Sequence, residues 1–289
     1  MINTITNTQI QILESLAKFF YLTPDQMVAL NIVGSRNNIY SHLTKLKKYK
    51  FIKEITFGVD KNKGKLPSLY SLKNKGQEFL VNELDYFIDE IKRPQRATLS
   101  SRLLDHTQLM VDFHISLIKT LKKHSDEYDF FYYDFEKENK ISKTKIFLDR
   151  KEKPAIKADM IFKHKKTLYL VEIHRGKGTK RALRQIKYHL LALGSGKYSE
   201  RFDFQDWKLL YVLNENNYIN RVIERFSSEP IIKKRLDKIK NKILLKPSDQ
   251  ITWIEKNKYN NKKIISNDLF KNWSNLIDEK FFLNNQKGL

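Results

Sequence analysis

Apolar positions over residues 5–20 recur at helical spacing. Ile5, Ile12, Leu13, Leu16, Phe19 and Phe20 fall mostly on one face, and Thr6 or Asn7 stands where a cap belongs. Thr23-Pro24 is a second cap, with proline at the first helical position, and opens a short helix through Leu30. After the Gly34-Ser35 break, Ile39, Leu43 and Leu46 stripe a third helix over residues 36–50 whose other side is polar and basic. Residues 51–57 read as a strand, 60–65 as a charged hairpin tip, Leu69-Tyr70-Ser71-Leu72 as the returning strand and 74–89 as a helix. Helix, short helix, helix, basic hairpin is the winged helix-turn-helix order, expected here over residues 1–92.

Beyond a linker at residues 91–95, broken by Pro94, the pattern changes. A long helix is expected over residues 98–123, with Leu103, Met110, Phe113, Leu117 and Leu121 on its buried face. An aromatic strand follows at 128–136, a charged hairpin or loop at 137–153, and two strands at 156–162 and 167–173 joined by a lysine-rich turn. Gly176 and Gly178 precede a helix at 179–193; residues 207–213 form a strand and 218–227 a helix. Helix, three strands, helix, strand predicts an α/β (α+β) mixed-sheet domain over residues 98–228 with helices on its faces. Residues 229–289 form a basic mixed extension, with a helix at 231–242, a strand at 243–245 and a helix near 266–282.

Composition narrows the function classes. The chain has 289 residues and no cysteine, so thiolate metal sites, disulfides and cysteine nucleophiles are excluded. No apolar run is long enough for a membrane span, no signal peptide is evident, and the expected location is the cytoplasm. No glycine-rich phosphate loop supports ATP use. The net charge of +22 points to a polyanion, and nucleic acid is the first choice. The charge is concentrated: residues 36–65 carry +7, 141–189 carry +11 and 231–263 carry +8, leaving the rest at −4.

A helix with short polar and basic residues outward fits a major groove about 12 Å wide. The candidate DNA contacts are Arg36, Asn37, Ser41, Thr44, Lys45 and Lys48 on the third helix, and Lys61, Lys63 and Lys65 on the hairpin. The alternative is a winged helix used for protein contact.

The candidate chemistry lies further on. Asp159 and Glu172 are carboxylates inside apolar strands, where a charge is costly to bury and is usually paired or metal-bound. Twelve residues separate them, so they can meet across a hairpin. Two carboxylates and retained waters suffice for Mg²⁺ or Mn²⁺. His174, two residues beyond Glu172, shares its strand face. Glu136 is a candidate third metal ligand. Alternatively, Asp159 and Glu172 are strand-end charges bridging to Lys157 or Arg175.

An aspartate on one strand, a short hairpin, then acid-x-base on the next resembles the PD-(D/E)xK nuclease core. Ala158 stands where that motif commonly has proline, and His174 where it has the catalytic lysine. Lys187 on the following helix is a candidate substitute for that lysine, or an ordinary exposed one. Over most of the chain the sequence is similar to the plasmid replication-relaxation proteins and the C-class, MobC-like mobilisation relaxases. The matching stretches are His106-Thr-Gln-Leu-Met-Val-Asp112, Ala158-Asp159, Glu172-Ile-His174-Arg175-Gly176, Lys187-Tyr188 and residues 207–213. The resemblance implies a winged helix joined to a restriction-endonuclease-like domain that binds a double-stranded plasmid origin and nicks one strand with a divalent metal. Partners of that kind include a second copy on inverted repeats and mobilisation or replication accessory proteins. It also makes His106 a candidate active-site group, against the plainer reading of a core histidine. Arg175 and Lys177, with Lys157, Lys163, Lys165 and Lys180, form the basic rim expected to hold the backbone. The competing class is a non-catalytic initiator or regulator on a degenerate nuclease fold; a defence-type restriction enzyme is a third.

Overall fold

The computed structural model describes residues 5–61, 64–92, 101–148, 155–174, 178–213, 216–227, 242–248, 251, 254–256, 262–264 and 274–275. The Pro94 breaker, Lys63, Arg175, Lys177 and, but for Lys242, the helix expected over 231–242 lie outside these residues. The chain is α+β and divides into two compact units, Met1–Ile115 and Ser116–Leu289.

In the first unit, α1 (Asn7–Phe19) and α2 (Pro24–Ala29) each begin with a capping box, Thr6 with Gln9 and Thr23 with Gln26, as threonine and glutamine three apart allow. Ser35 caps α3 (Arg36–Lys48), whose Ile39, Leu43 and Leu46 are buried as their spacing predicts. Strand β1 (Ile52–Ile55) leads into a hairpin of β2 (Val59–Asp60) and β3 (Gly64–Lys65), and returns as β4 (Leu69–Leu72), antiparallel to β1. Leu22 bridges to Tyr70 and adds one residue to that sheet. Helix α4 (Asn74–Leu84) stops five residues earlier than expected, because Asp85 adopts a left-handed backbone, φ 56°. A Cβ on Gly76 of α4 would lie 2.4 Å from the Phe51 carbonyl oxygen, so only glycine permits this approach.

Helix α5 (Ser101–Lys123) is cut by the division between the units. Its buried positions include Leu104, Thr107, Met110, Phe113, His114, Leu117 and Leu121, whereas Leu103, expected inside, is 52% exposed. Leu104 takes that place. It lies three residues before Thr107 and ten before His114, on the stripe that α5 buries. Within the first unit, His114 packs against Phe19 with ring centroids 4.8 Å apart, and Gln26 donates to the Gln108 carbonyl and the Asp112 carboxylate.

The second unit is built on a six-stranded mixed sheet. After β5 (Phe130–Tyr133) come the short pieces β6 (Lys137–Glu138), β7 (Ile141–Ser142), β8 (Lys145–Phe147) and β9 (Ala155–Lys157). Then follow β10 (Met160–His164), β11 (Thr167–His174), α6 (Thr179–Gly194), β12 (Asp206–Leu213), α7 (Asn216–Ser227) and β13 (Ile243–Pro247). A small hairpin of β14 (Ile254–Lys256) and β15 (Lys262–Ile264) precedes β16 (Ser274–Asn275). The sheet order is β16-β13-β12-β11-β10-β5. β11, β12 and β13 run parallel; β10 is antiparallel to both β5 and β11. The strand expected over 156–162 is broken at Ala158-Asp159, where the chain leaves a pairing with β8 for the main sheet. Of the helix expected near 266–282 only Ser274 and Asn275 are described, and they form a strand paired with β13 instead.

One face of the sheet packs Ile161, Leu170, Leu209 and Ile243 against Ala182, Leu183 and Ile186 of α6 and Val222 and Phe226 of α7. The opposite face carries the cross-strand row Phe131, Phe162 and Tyr169, stacked at 5.9 and 4.5 Å. Alternation along each strand sends successive residues to these two opposite faces.

Candidate active site and nucleic-acid interface

Strand register assembles the acids. Continuing the β5–β10 register by one residue sets Asp159 opposite Asp134, whose N–H donates to the Asp159 carbonyl at 2.9 Å. Continuing the β10–β11 register sets Asp159 opposite Glu172, and Glu172 stands beside Tyr211 on β12. Directly opposite residues share a face, so Asp134, Asp159, Glu172 and Tyr211 form one rung on the α6 side of the sheet. One oxygen of Asp159 accepts the Ile173 N–H at 2.7 Å. Asp134 pairs with Lys157 at 2.7 Å, which makes Asp134, not Asp159 or Glu172, the direct partner of that lysine.

Glu172 is only 1% exposed, and both of its oxygens are bonded to α6. Gln185 Nε2 donates to Oε2 at 2.9 Å, and His189 Nε2 lies 2.7 Å from Oε1. These two residues are four apart and share one face of the helix. Beyond α6 the chain makes a Schellman turn: Gly196 has φ 74° and the Lys197 N–H bonds the Ala192 carbonyl. That reversal returns Tyr198 to the helix, where its hydroxyl lies 2.8 Å from His189 Nδ1.

Burial, followed by the charge of Asp159, pushes the Glu172 carboxyl well above its ordinary range, with Arg181 pulling it back. Burial lowers the His189 imidazole to about 3. Both directions disfavour an imidazolium–carboxylate ion pair. The imidazole is neutral, so one ring nitrogen donates and the other accepts in its contacts with Glu172 and the Tyr198 hydroxyl. Two buried polar atoms nearby, Gln185 Oε1 and the Tyr211 hydroxyl, have no hydrogen-bond partner.

The other expected residues fall as follows. His174 is buried, its ring 6.2 Å from that of Tyr211. Lys187 is half-buried two residues past Gln185, roughly 200° around the helix; the bonds to Glu172 come from Gln185 and His189. Glu136 is buried and accepts the Tyr133 N–H at 2.9 Å, holding the turn after β5. His106 is half-buried on α5 in the first unit, whereas Asp159 and Glu172 belong to the second. Among the described residues, no three or more His, Asp or Glu side chains are grouped to hold a metal ion.

Asp134, Gln185, His189 and Tyr198 escaped the sequence reading. Their signals exist. Asp134 is a charge in an aromatic strand, the same cue that marks Asp159. Gln185 and His189 are polar residues at the i, i+4 spacing beside the apolar Ala182, Leu183 and Ile186.

In the first unit, Arg36, Asn37, Ser41, Thr44, Lys45 and Lys48 are all exposed along α3. Arg36 is engaged by Asp25 at 3.3 Å and lies over the Tyr40 ring, and Ser41 donates to the Asn38 carbonyl. Lys47 is tied to Glu54. Lys61 and Lys65 are exposed on the β2–β3 hairpin beside Val59, itself 78% exposed.

No protein-family model and no curated protein matches the chain. No helix among the described residues is long and apolar enough to cross a membrane.

Proposed function

We propose that the protein binds a specific double-stranded DNA site and nicks one strand in a divalent-metal-dependent reaction, as a plasmid replication-relaxation or mobilisation protein would. The observation that carries the reading is the rung of three carboxylates, Asp134, Asp159 and Glu172, set side by side on neighbouring strands at the point where β10 begins. The first unit is read as a winged helix. Its α3 presents exposed polar and basic side chains suited to a major groove, and its lysine-bearing hairpin suits the adjacent phosphates.

The donor set suits Mg²⁺ or Mn²⁺. Asp159 and Glu172 are hard oxygen donors on register-paired positions, and one or two carboxylates with retained waters satisfy such an ion. Burial, then the charge of Asp159, raises the Glu172 carboxyl, and a cation shared by the two would offset that cost. A metal held by Asp159 and Glu172 would supply polarisation of the scissile phosphate and a lowered pKa for a bound water. The protein's part is positional. The Ile173 N–H fixes Asp159, Gln185 and His189 fix Glu172, and Lys157, paired to Asp134, would hold the backbone of the DNA strand. Sequence choice belongs to the first unit, since phosphate contacts carry no base information.

The test is incubation with supercoiled plasmid bearing the cognate origin, with Mg²⁺ or Mn²⁺. Open circles are expected. Linear or fragmented product indicates a restriction-type cutter. DNA binding without any product indicates the second reading, a non-catalytic initiator or regulator. One observation favours that reading: Glu172 is 1% exposed with both oxygens already bonded to α6.

A further inference from the structure

The residues that hold Glu172 are more specific than burial requires. A buried carboxylate needs donors, and any two would lower its cost. Here the donors come from one helix face, and the second is itself held from behind. Tyr198, His189 and Glu172 form a chain of 2.8 and 2.7 Å contacts, with His189 at 0% exposure and Glu172 at 1%. Gln185 closes the other carboxylate oxygen at 2.9 Å. An imidazole has two distinct nitrogens, and the partner of one decides which carries the proton. A Tyr198 hydroxyl that donates to Nδ1 leaves the His189 Nε2–H to donate to Glu172. The Gly196 turn that delivers Tyr198 makes this arrangement a property of the fold.

We propose that His189 is a positioning residue, oriented by Tyr198, that fixes the Glu172 carboxylate in the rotamer needed to share a divalent cation with Asp159. The inference rests on the nuclease reading above and adds to it a second layer behind the carboxylates. Outer partners of metal ligands commonly contribute about 10–100-fold in metal affinity or activity.

The test uses the full chain, with Mn²⁺ as the probe, followed by its paramagnetic resonance signal, beside plasmid nicking. In His189→Leu the Mn²⁺ concentration for half-saturation should rise about 10–100-fold, with nicking at saturating Mn²⁺ reduced much less. His189→Gln restores a donor and an acceptor and should recover most of the affinity. Tyr198→Phe should show a smaller loss, because the donor remains but its aim is relaxed. In the metal-free wild type, ¹⁵N spectra should show one histidine protonated at Nε2 alone, with an N–H slow to exchange. An Nδ1–H tautomer for His189 overturns the proposal, whether or not any variant folds. So does a folded His189→Leu protein that binds Mn²⁺ as the wild type does while the wild type nicks. A wild type that neither binds Mn²⁺ nor nicks sinks the nuclease reading itself, and the positioning role falls with it.

Discussion

The two units place their polar residues in opposite ways. On α3 of the first unit, Arg36, Asn37, Thr44, Lys45 and Lys48 are exposed above a wholly apolar stripe of Ile39, Leu43 and Leu46. On β11 and α6 of the second, Glu172 and His189 are inside the stripe, bonded to each other and to Gln185 and Tyr198. Exposed cations keep their hydration and are available to a polyanion; each phosphate contact releases counterions and gives salt-dependent affinity. A buried carboxylate is costly unless its partners are fixed. The first unit thus keeps its cations exposed, whereas the second holds its charge buried among fixed partners.

Substitution at the buried end should produce the largest effect. Glu172→Gln keeps the shape and removes the charge. Nicking should fall at least about 100-fold, because charge stabilisation by a bound metal is worth several kcal/mol, while affinity for origin DNA should change less than about twofold. Unchanged nicking would remove the reaction centre from the comparison. Glu172→Ala also strips His189 and Gln185 of their acceptor, and should lower the melting temperature by the equivalent of about 3 kcal/mol.

Acidity separates the units next. The His189 imidazole is lowered to about 3 in the fold by burial, against an ordinary value near 6.5. A depressed pKa gives stability that is full above the unfolded value and is lost as pH falls through the folded one. Metal-free wild type should therefore lose stability between about pH 6.5 and 3 more steeply than His189→Gln, as denaturant titrations at stepped pH will show. Glu172 acts in the other direction. Its raised carboxyl gives stability that is full below about pH 4.3 and declines as pH rises. Glu172→Gln should remove that decline.

Smaller effects test the exposed end. Among the described residues Lys45 and Lys48 have no acidic partner, unlike Lys47. The double variant Lys45→Ala/Lys48→Ala should weaken binding to every DNA sequence and reduce the slope of log K against log salt by about 2. An unchanged slope would move the phosphate contacts away from α3. Gly76→Ala, which drives a methyl against the Phe51 carbonyl, should destabilise the first unit by about 1–3 kcal/mol. Tyr211→Phe should be the mildest. Its buried hydroxyl has no partner, so removing it should leave stability within about 1 kcal/mol or raise it slightly.

Local signals carried much of the architecture into the sequence. Thr6 with Gln9 and Thr23-Pro24 with Gln26 cap two helices because capping needs only neighbours three residues apart. The stripe of α3 and the runs that became β11 and β12 are equally short-range patterns, read as helix and strand from their periods. Asp159 and Glu172 stood out because a charge in an apolar strand is conspicuous by itself. Partners were a different matter. Asp134 joins the rung through a register between strands more than twenty residues apart, Glu136 is turned to a backbone N–H, and His189 reaches Glu172 across 17 residues. Neither propensity nor spacing encodes such pairings, because they follow from how a sheet and a helix pack once all the elements are present. The amino-acid order thus determined the elements, their caps and the two conspicuous acids. Only the tertiary structure decided which side chains surround those acids, since register and helix placement are settled by long-range burial and not by any local stretch of chain.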